Sequence, residues 1–328
     1  MSTNPIFNNM FHTVERAGAK ASILIEGLSG RGKSGLALQL GYYLADKDWT
    51  KVFDIDTENN SVNLYDGLQC SAGMKFENFQ HCNFTPDLKY KPSHYEAIKE
   101  SAIQSGAEVV INDSISHAWS YEGGVLDRLA ELKKGNKRYE KDSYAAWGDE
   151  EIVSEKQKLM QLLRDSRCHM IATVRVKEKL EYDKDANGKT VLVSLGDQEI
   201  MQADMKYEPD LVLHMESPGY ADEKEVHHPK ARVVKSRYAI LKKDEVYEFT
   251  PTLCEDIADY LKKGTAPEEI LEKQRQEYIK EIKEYLDTHQ NMVAVWQVYK
   301  EDEGIKDVPL EDMSLDVLKR GLIKMTID

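Results

Sequence analysis

The stretch ASILIEGLSGRGKSG, residues 21–35, decides the fold. Its first six residues, Ala21 to Glu26, form a short apolar run that reads as a buried strand. A glycine-rich turn follows. From Lys33 to Ala45 the apolar residues Leu36, Leu40, Tyr43 and Leu44 recur at helical spacing, which predicts a helix with one buried face. Within the turn, Gly27-Leu28-Ser29-Gly30-Arg31-Gly32-Lys33-Ser34 fits the spacing G-x-x-x-x-G-K-[ST], with Gly35 next in the helix. Each residue type has a physical task in such a loop. The glycines let backbone N–H groups close on phosphate oxygens, and the helix N-terminus adds its positive dipole end. Lys33 is expected to reach the β- and γ-phosphates and the Ser34 hydroxyl to ligate Mg²⁺. The expected ligand is therefore Mg-ATP.

Outward from this loop the chain alternates strands and helices. Lys51–Asp56 (KVFDID), Glu108–Asn112 (EVVIN) and Met170–Val174 (MIATV) read as strands. Ser93–Gln104, with Ser93 and Glu96 as a capping box, and residues 149–166 read as helices. This alternation predicts an α/β fold with a mostly parallel sheet covered on both faces. After residue 176 the pattern changes. Asp185–Lys189 contains Asn-Gly, a hairpin signal, and Leu211–Met215, Ala231–Lys235 and Val246–Phe249 read as short strands that finish the sheet.

A boundary is expected at Lys262–Ala266, with Thr265 and Glu268 as a second capping box and Pro267 in the first turn. A long charged helix to about Asp287 and shorter helices at Met292–Tyr299 and Ser314–Met325 should follow. There Val293, Val295, Trp296, Val298 and Tyr299 look like a small core. The chain thus divides into an N-terminal segment 1–20, a core 21–262 and a C-terminal helical module 263–328.

The 328 residues carry 44 basic and 58 acidic side chains, a formal net charge of −14. Residues 251–328 hold 18 acidic and 11 basic residues, half of that excess. The overall field does not steer the protein to nucleic acid, so any DNA contact needs a local basic surface. No apolar run approaches the length of a membrane span, and Met1–Lys20 lacks an apolar signal segment. Cys70, Cys82, Cys168 and Cys254 form no C-x-x-C pair, and free thiols in a reducing cytoplasm are expected.

Two acids complete the expected site. Asp113 ends the strand EVVIN, where a carboxylate can hold the Mg²⁺ water shell. Glu58 follows the second strand in Asp56-Thr57-Glu58, where it can activate the attacking water, with a solvated loop acid as the alternative.

Together these residues resemble the RecA/RadA class of ATPases, and more specifically small RecA-like ATPases of bacteriophages linked to single-strand annealing and recombination. The segments DSISHAW (113–119), IATVR (171–175), MKYEPDLV (205–212) and VKSR (234–237) carry that resemblance, which covers residues 18–250. It implies a RecA-like P-loop core and a cytoplasmic, phage-encoded protein that assembles into a hexamer-like ring or a filament. It places Thr173 as a polar sensor at the end of the fourth strand, with Val174 and Arg175 where RecA proteins carry a glutamine. It also implies that Lys235 and Arg237 reach the γ-phosphate of a neighbouring subunit. Two residues apart on a strand, they share a face; solvated edge-strand charges are the alternative.

Single-stranded DNA is the partner this resemblance implies. The candidate contacts are Lys133–Lys141 (KKGNKRYEK), with Tyr139, Tyr144 and Trp147 nearby, and the hairpin from Lys177 to Lys189. The acidic C-terminal helices suit docking of a protein partner or assembly. Two further readings stay open: a helicase or helicase loader, and a nucleotide-gated scaffold with little turnover.

Overall fold

The computed structural model describes residues 18–70, 75–84, 88–142, 144–184, 190–221, 226–264 and 267–327. The apolar run of residues 22–27 is the first strand, β1 (Ser22–Gly27), and the glycine turn leads into α1 (Lys33–Leu44). In chain order there follow β2 (Val52–Asp56), β3 (Gln80–Asn83), α2 (Pro92–Gln104), β4 (Val109–Asp113), α3 (Ile115–Ser120), α4 (Val125–Gly135), α5 (Lys137–Lys141) and α6 (Glu150–Gln161). Next are β5 (His169–Lys184), β6 (Thr190–Glu199), β7 (Leu211–Ser217), the two-residue strands β8 (Tyr220–Ala221) and β9 (Val226–His227), β10 (Lys230–Ser236), β11 (Val246–Glu248) and α7 (Pro251–Lys262).

The main sheet runs in the order β11-β10-β7-β1-β5-β4-β2-β3, with β6 paired to β5. The six strands from β7 to β3 are mutually parallel, whereas β10, β11 and β6 join antiparallel. This is the mostly parallel α/β core expected of a RecA-like P-loop fold. Parallel strands are covered on both faces and so are apolar throughout; Ile23, Leu24 and Ile25 of β1 are all fully buried. The strand β5 separates β1 from β4. The P-loop therefore lies across one intervening strand from Asp113, and both project from the carboxyl ends of the sheet, where α/β folds bind ligands.

On one face, Leu24, Ile55, Val110, Ala172 and Val212 of the sheet pack with Tyr95 of α2, Leu129 of α4 and Ile152 and Leu159 of α6. The other face carries α1. Its burial exceeds the single face expected, because Ala37, Leu38, Gln39 and Gly41 are buried as well. The cause is α7, which packs on the far side of α1. Gln39 Nε2 donates to the Phe249 carbonyl at 2.7 Å and to Cys254 Sγ of α7 at 3.4 Å.

Two local expectations need correction. Ser93 and Glu96 do not form a capping box. Pro92 occupies the first turn, Lys91 is the N-cap, and the Ser93 N–H donates to the Glu155 carboxylate at 2.9 Å. Lys133–Lys141 forms the end of α4 and all of α5, turned at Asn136, whose side chain accepts from the Arg138 N–H. Tyr139 and Trp147 both pack against the core, Tyr139 donating to Asp149 at 2.8 Å and Trp147 stacking on Trp119. Of the aromatic faces expected there for bases, only Tyr144 is fully exposed. The turn at 185–189 and the cap expected of Thr265 and Glu268 lie outside the described residues.

The chain divides into two compact units after Lys263. The second contains α8 (Pro267–Thr288), α9 (Met292–Asp302) and α10 (Leu315–Ile327). Its core is Ile279, Ile282, Trp296, Tyr299, Met313, Leu318, Leu322 and Met325. Of the residues expected there, Val293 and Val298 face solvent, because the helix turns only Trp296 and Tyr299 fully inward. No helix among the described residues is long and apolar enough to cross a membrane.

Candidate nucleotide site

The P-loop's backbone is shaped for close approach. Gly30 and Gly32 have φ of +77° and +82°, in the left-handed region that favours glycine. A Cβ on Gly30 would meet nothing within 4 Å, which leaves the loop's mouth open. A Cβ on Gly32 would lie 2.9 Å from Pro218 Cα, so the loop is seated against the turn that follows β7. Arg31 reinforces that seat by donating to the Glu216 carbonyl at 2.7 Å. Lys33 folds back over the loop and donates to the Leu28 carbonyl at 3.0 Å. Burial lowers its pKa, an effect opposed by the nearby carboxylates of Asp113 and Glu58.

At the foot of the loop, the Ser34 hydroxyl lies near the Asp113 carboxylate and works to lower its pKa. Thr173 donates its hydroxyl to Asp113 Oδ1 from β5. Ser34, Asp113 and Thr173 thus lie close together across β1–α1, β4 and β5, with Thr173 and Asp113 hydrogen-bonded. Burial raises the Asp113 pKa against the pull of these two hydroxyls. Tyr65 packs over the start of α1, its ring 3.4 Å from where a Cβ on Gly35 would lie.

Glu58 is set beside this row by Thr57 and Asp56. The Thr57 N–H donates to the Asp113 carbonyl at 2.7 Å, and its hydroxyl accepts from the Ser114 N–H at 2.8 Å, which fastens the end of β2 to the end of β4. The Asp56 carboxylate accepts from the N–H groups of Glu58 (2.6 Å) and Val62 (3.1 Å) and so shapes the intervening turn. The Glu58 side chain is clamped: Arg175 Nε donates to Oε1 at 2.8 Å. Arg175 is held in turn by the Tyr121 hydroxyl at 2.9 Å. Burial works to raise the Glu58 pKa, but the Arg175 bond and charge outweigh it and the net direction is down.

One acid of the site was missed in the sequence. Asp54 lies two residues before Asp56 on β2, on the same face by strand alternation. It is 2% exposed, its Oδ2 has no partner among the described residues, and burial with the neighbouring Asp113 and Asp56 carboxylates pushes its pKa well up. The signal was the pattern Val52-Phe-Asp54-Ile-Asp56, which puts two acids on one face of a buried strand. Among the described residues no three acids converge on a metal, but Asp113 with the Ser34 hydroxyl is the one carboxylate and one hydroxyl that suit Mg²⁺, which keeps several waters and takes further ligands from phosphate.

Lys235 and Arg237 lie elsewhere, at the far end of β10. Lys235 Nζ donates to the carbonyls of Lys206, Tyr207 and Pro209 at 3.2, 2.7 and 2.6 Å, so it ties down its own chain. Arg237, just past the strand, pairs with Asp210 at 2.9 Å and keeps a largely exposed side chain.

A family described as AAA domain matches residues 19–248. That is more than two thirds of the chain, and the chain belongs to this family. No curated protein matches. Among solved structures, the flagellar accessory protein FlaH from Methanocaldococcus jannaschii is similar, with 15% identity, 70% of this chain and 84% of that one covered, and a TM-score of 0.36. The KaiC-like protein PH0186 from Pyrococcus horikoshii OT3 is similar at 16% identity, with 72% and 87% covered and a TM-score of 0.38.

Proposed function

We propose that this AAA-family chain hydrolyses ATP with magnesium and that its turnover is gated by the Arg175 clamp on Glu58. The observation that carries the reading is the Thr173–Asp113 hydrogen bond at the foot of the P-loop, with Ser34, Lys33 and Glu58 gathered around that carboxylate. Ser34 and Asp113 would hold Mg²⁺, with Asp54 close behind. The ion, when bound, neutralises charge on the phosphate oxygens. Lys33 exchanges the Leu28 carbonyl for phosphate. Thr173 fixes the Asp113 carboxylate so that it faces the loop.

Glu58 is the proton acceptor for the attacking water. In its clamp it is a poor one, because a carboxylate held by a guanidinium has a lowered proton affinity. It becomes competent once Arg175 turns to another anion, and an incoming triphosphate supplies one. Arg175 lies two residues beyond Thr173, in the place where the family resemblance has a glutamine.

We assign a role between subunits of a homo-oligomer to Arg237, which is exposed and held by a single carboxylate; Lys235, engaged with three carbonyls, positions the segment that carries it. Single-stranded DNA is the proposed partner, through the β5–β6 hairpin and the basic end of α4. The clamp also favours a second reading, a nucleotide-gated scaffold with little turnover, in which Glu58 is never released. Turnover measured with and without single-stranded DNA, together with particle mass under both conditions, tests the two. DNA stimulation and ATP-dependent assembly support the first; a low rate indifferent to DNA and to Glu58→Gln supports the second.

A further inference from the structure

On the sheet face opposite α1, a cavity of about 420 Å³ opens beside the last residue before the P-loop. Its lining includes Glu26, Asp197, Glu199, His214 and Arg232, with Val176 and Val234 as an apolar wall. Glu26 continues the face that Leu24 presents to α6, because side chains two apart on a strand point the same way. It is 4% exposed. One of its oxygens, Oε1, meets His214 Nδ1 at 3.2 Å, and His214 Nε2 lies 3.5 Å from Asp197. The other oxygen, Oε2, is buried without a partner among the described residues.

A buried carboxylate oxygen left unpaired is costly, by about 1–3 kcal/mol or more for a charged group, and calls for a donor. The cations already present do not supply one. Arg232 donates to Glu216 at 2.9 Å, Lys206 holds Glu199 at 2.7 Å, and His214 is shared between Glu26 and Asp197. A metal ion is a poor candidate, since among the described residues no group of three or more His, Cys, Asp or Glu side chains has metal-holding geometry. The combination of a buried carboxylate with one unpaired oxygen, a second acid at the rim and a valine wall suits a charged head on an apolar stem.

We propose that this cavity binds an organic cation, an ammonium or guanidinium group on a short alkyl chain, with Glu26 Oε2 accepting its hydrogen bond. The cation has two possible sources: a free di- or polyamine, or a Lys or Arg side chain of a second copy of this chain. Either one would act on the nucleotide loop through a single peptide bond, because Gly27 follows Glu26 directly. The site is separate from the catalytic acids, and the proposal does not depend on their assignment.

The test uses the full chain. Agmatine and putrescine are titrated calorimetrically into the wild type, Glu26→Gln and Asp197→Asn, and particle mass is recorded for all three over a concentration series. Saturable binding of one agmatine or putrescine per chain, weakened at least tenfold by Glu26→Gln, assigns a free cation. No such binding, with self-association weakened at least tenfold by either variant, assigns a side chain of a second copy. The less buried Asp197→Asn carries the test if Glu26→Gln does not fold. Folded variants that match the wild type in both readouts overturn the proposal. So does binding of many cations per chain that is equal in all three proteins and vanishes in ~0.3 M salt, the behaviour of counterions around a net charge of −14.

Discussion

Replacing Arg175 by alanine removes the clamp on Glu58 and should speed basal ATP turnover. The guanidinium bonds Glu58 at 2.8 Å, with the two side chains 29% and 25% exposed. A charge-assisted hydrogen bond of this kind is worth about 1.5–3 kcal/mol. Partial exposure and solvent screening place this one at the low end. If Glu58 must leave the clamp in each cycle, ~1.4 kcal/mol corresponds to roughly a tenfold higher basal rate. The pH profile gives an independent readout. Arg175 holds the Glu58 pKa down, and burial alone would raise it. A base works only above its pKa, so the acid limb of the rate profile should move to higher pH in Arg175→Ala. The assay is steady-state phosphate release between pH 5 and 8 at saturating ATP. A basal rate that falls to the level of Glu58→Gln, with no shift of the acid limb, would refute the clamp and make Arg175 part of the catalytic machinery.

Three further outcomes follow from the same structure. His169 is fully buried, accepts the Ala21 N–H on Nδ1 at 3.0 Å, and burial lowers its pKa to about 3. Its folded pKa lies below the unfolded value, so the unfolded chain binds more protons and stability is lost as pH falls from about 6.5 towards 3. His169→Gln should flatten that part of a plot of unfolding temperature against pH. Gly32→Ala forces a left-handed φ on alanine and drives its Cβ to 2.9 Å from Pro218. The left-handed backbone alone costs about 1–2 kcal/mol, and binding of a fluorescent ATP analogue should drop at least tenfold. In the C-terminal unit a Cβ on Gly321 would fall 2.2 Å from Trp296 and 2.7 Å from Tyr299. Gly321→Ala should destabilise that unit by about 1–3 kcal/mol, seen as faster amide exchange in α9 and α10, with Mg-ATP affinity unchanged.

What could be read from the sequence was what is local in it. The P-loop is eight consecutive residues between a strand and a helix, and its spacing states its chemistry. Asp113 was found because it closes an apolar run, whereas Thr173 came from the family resemblance and, contrary to that expectation, lies within β5 and not at its end. Asp54 was passed over because it sits inside such a run, where an acid looks like an interruption and not a ligand. The Glu58–Arg175 clamp joins residues 117 positions apart, and no local pattern announces it. The same holds for Lys235, whose partners are three backbone carbonyls some 26–29 residues earlier. The full burial of α1 depends on α7, about 210 residues downstream, so its own periodicity could not reveal it. Around the basic segment at 133–141, composition says nothing about which way Tyr139 and Trp147 turn.

Calorimetric titration of ATP into the full chain, with magnesium and with EDTA in its place, tests the central claim most directly. One site per chain that needs magnesium, is abolished by Lys33→Ala and is weakened at least tenfold by Asp113→Asn is the predicted result. A folded protein that binds no nucleoside triphosphate more tightly when magnesium is present would contradict it.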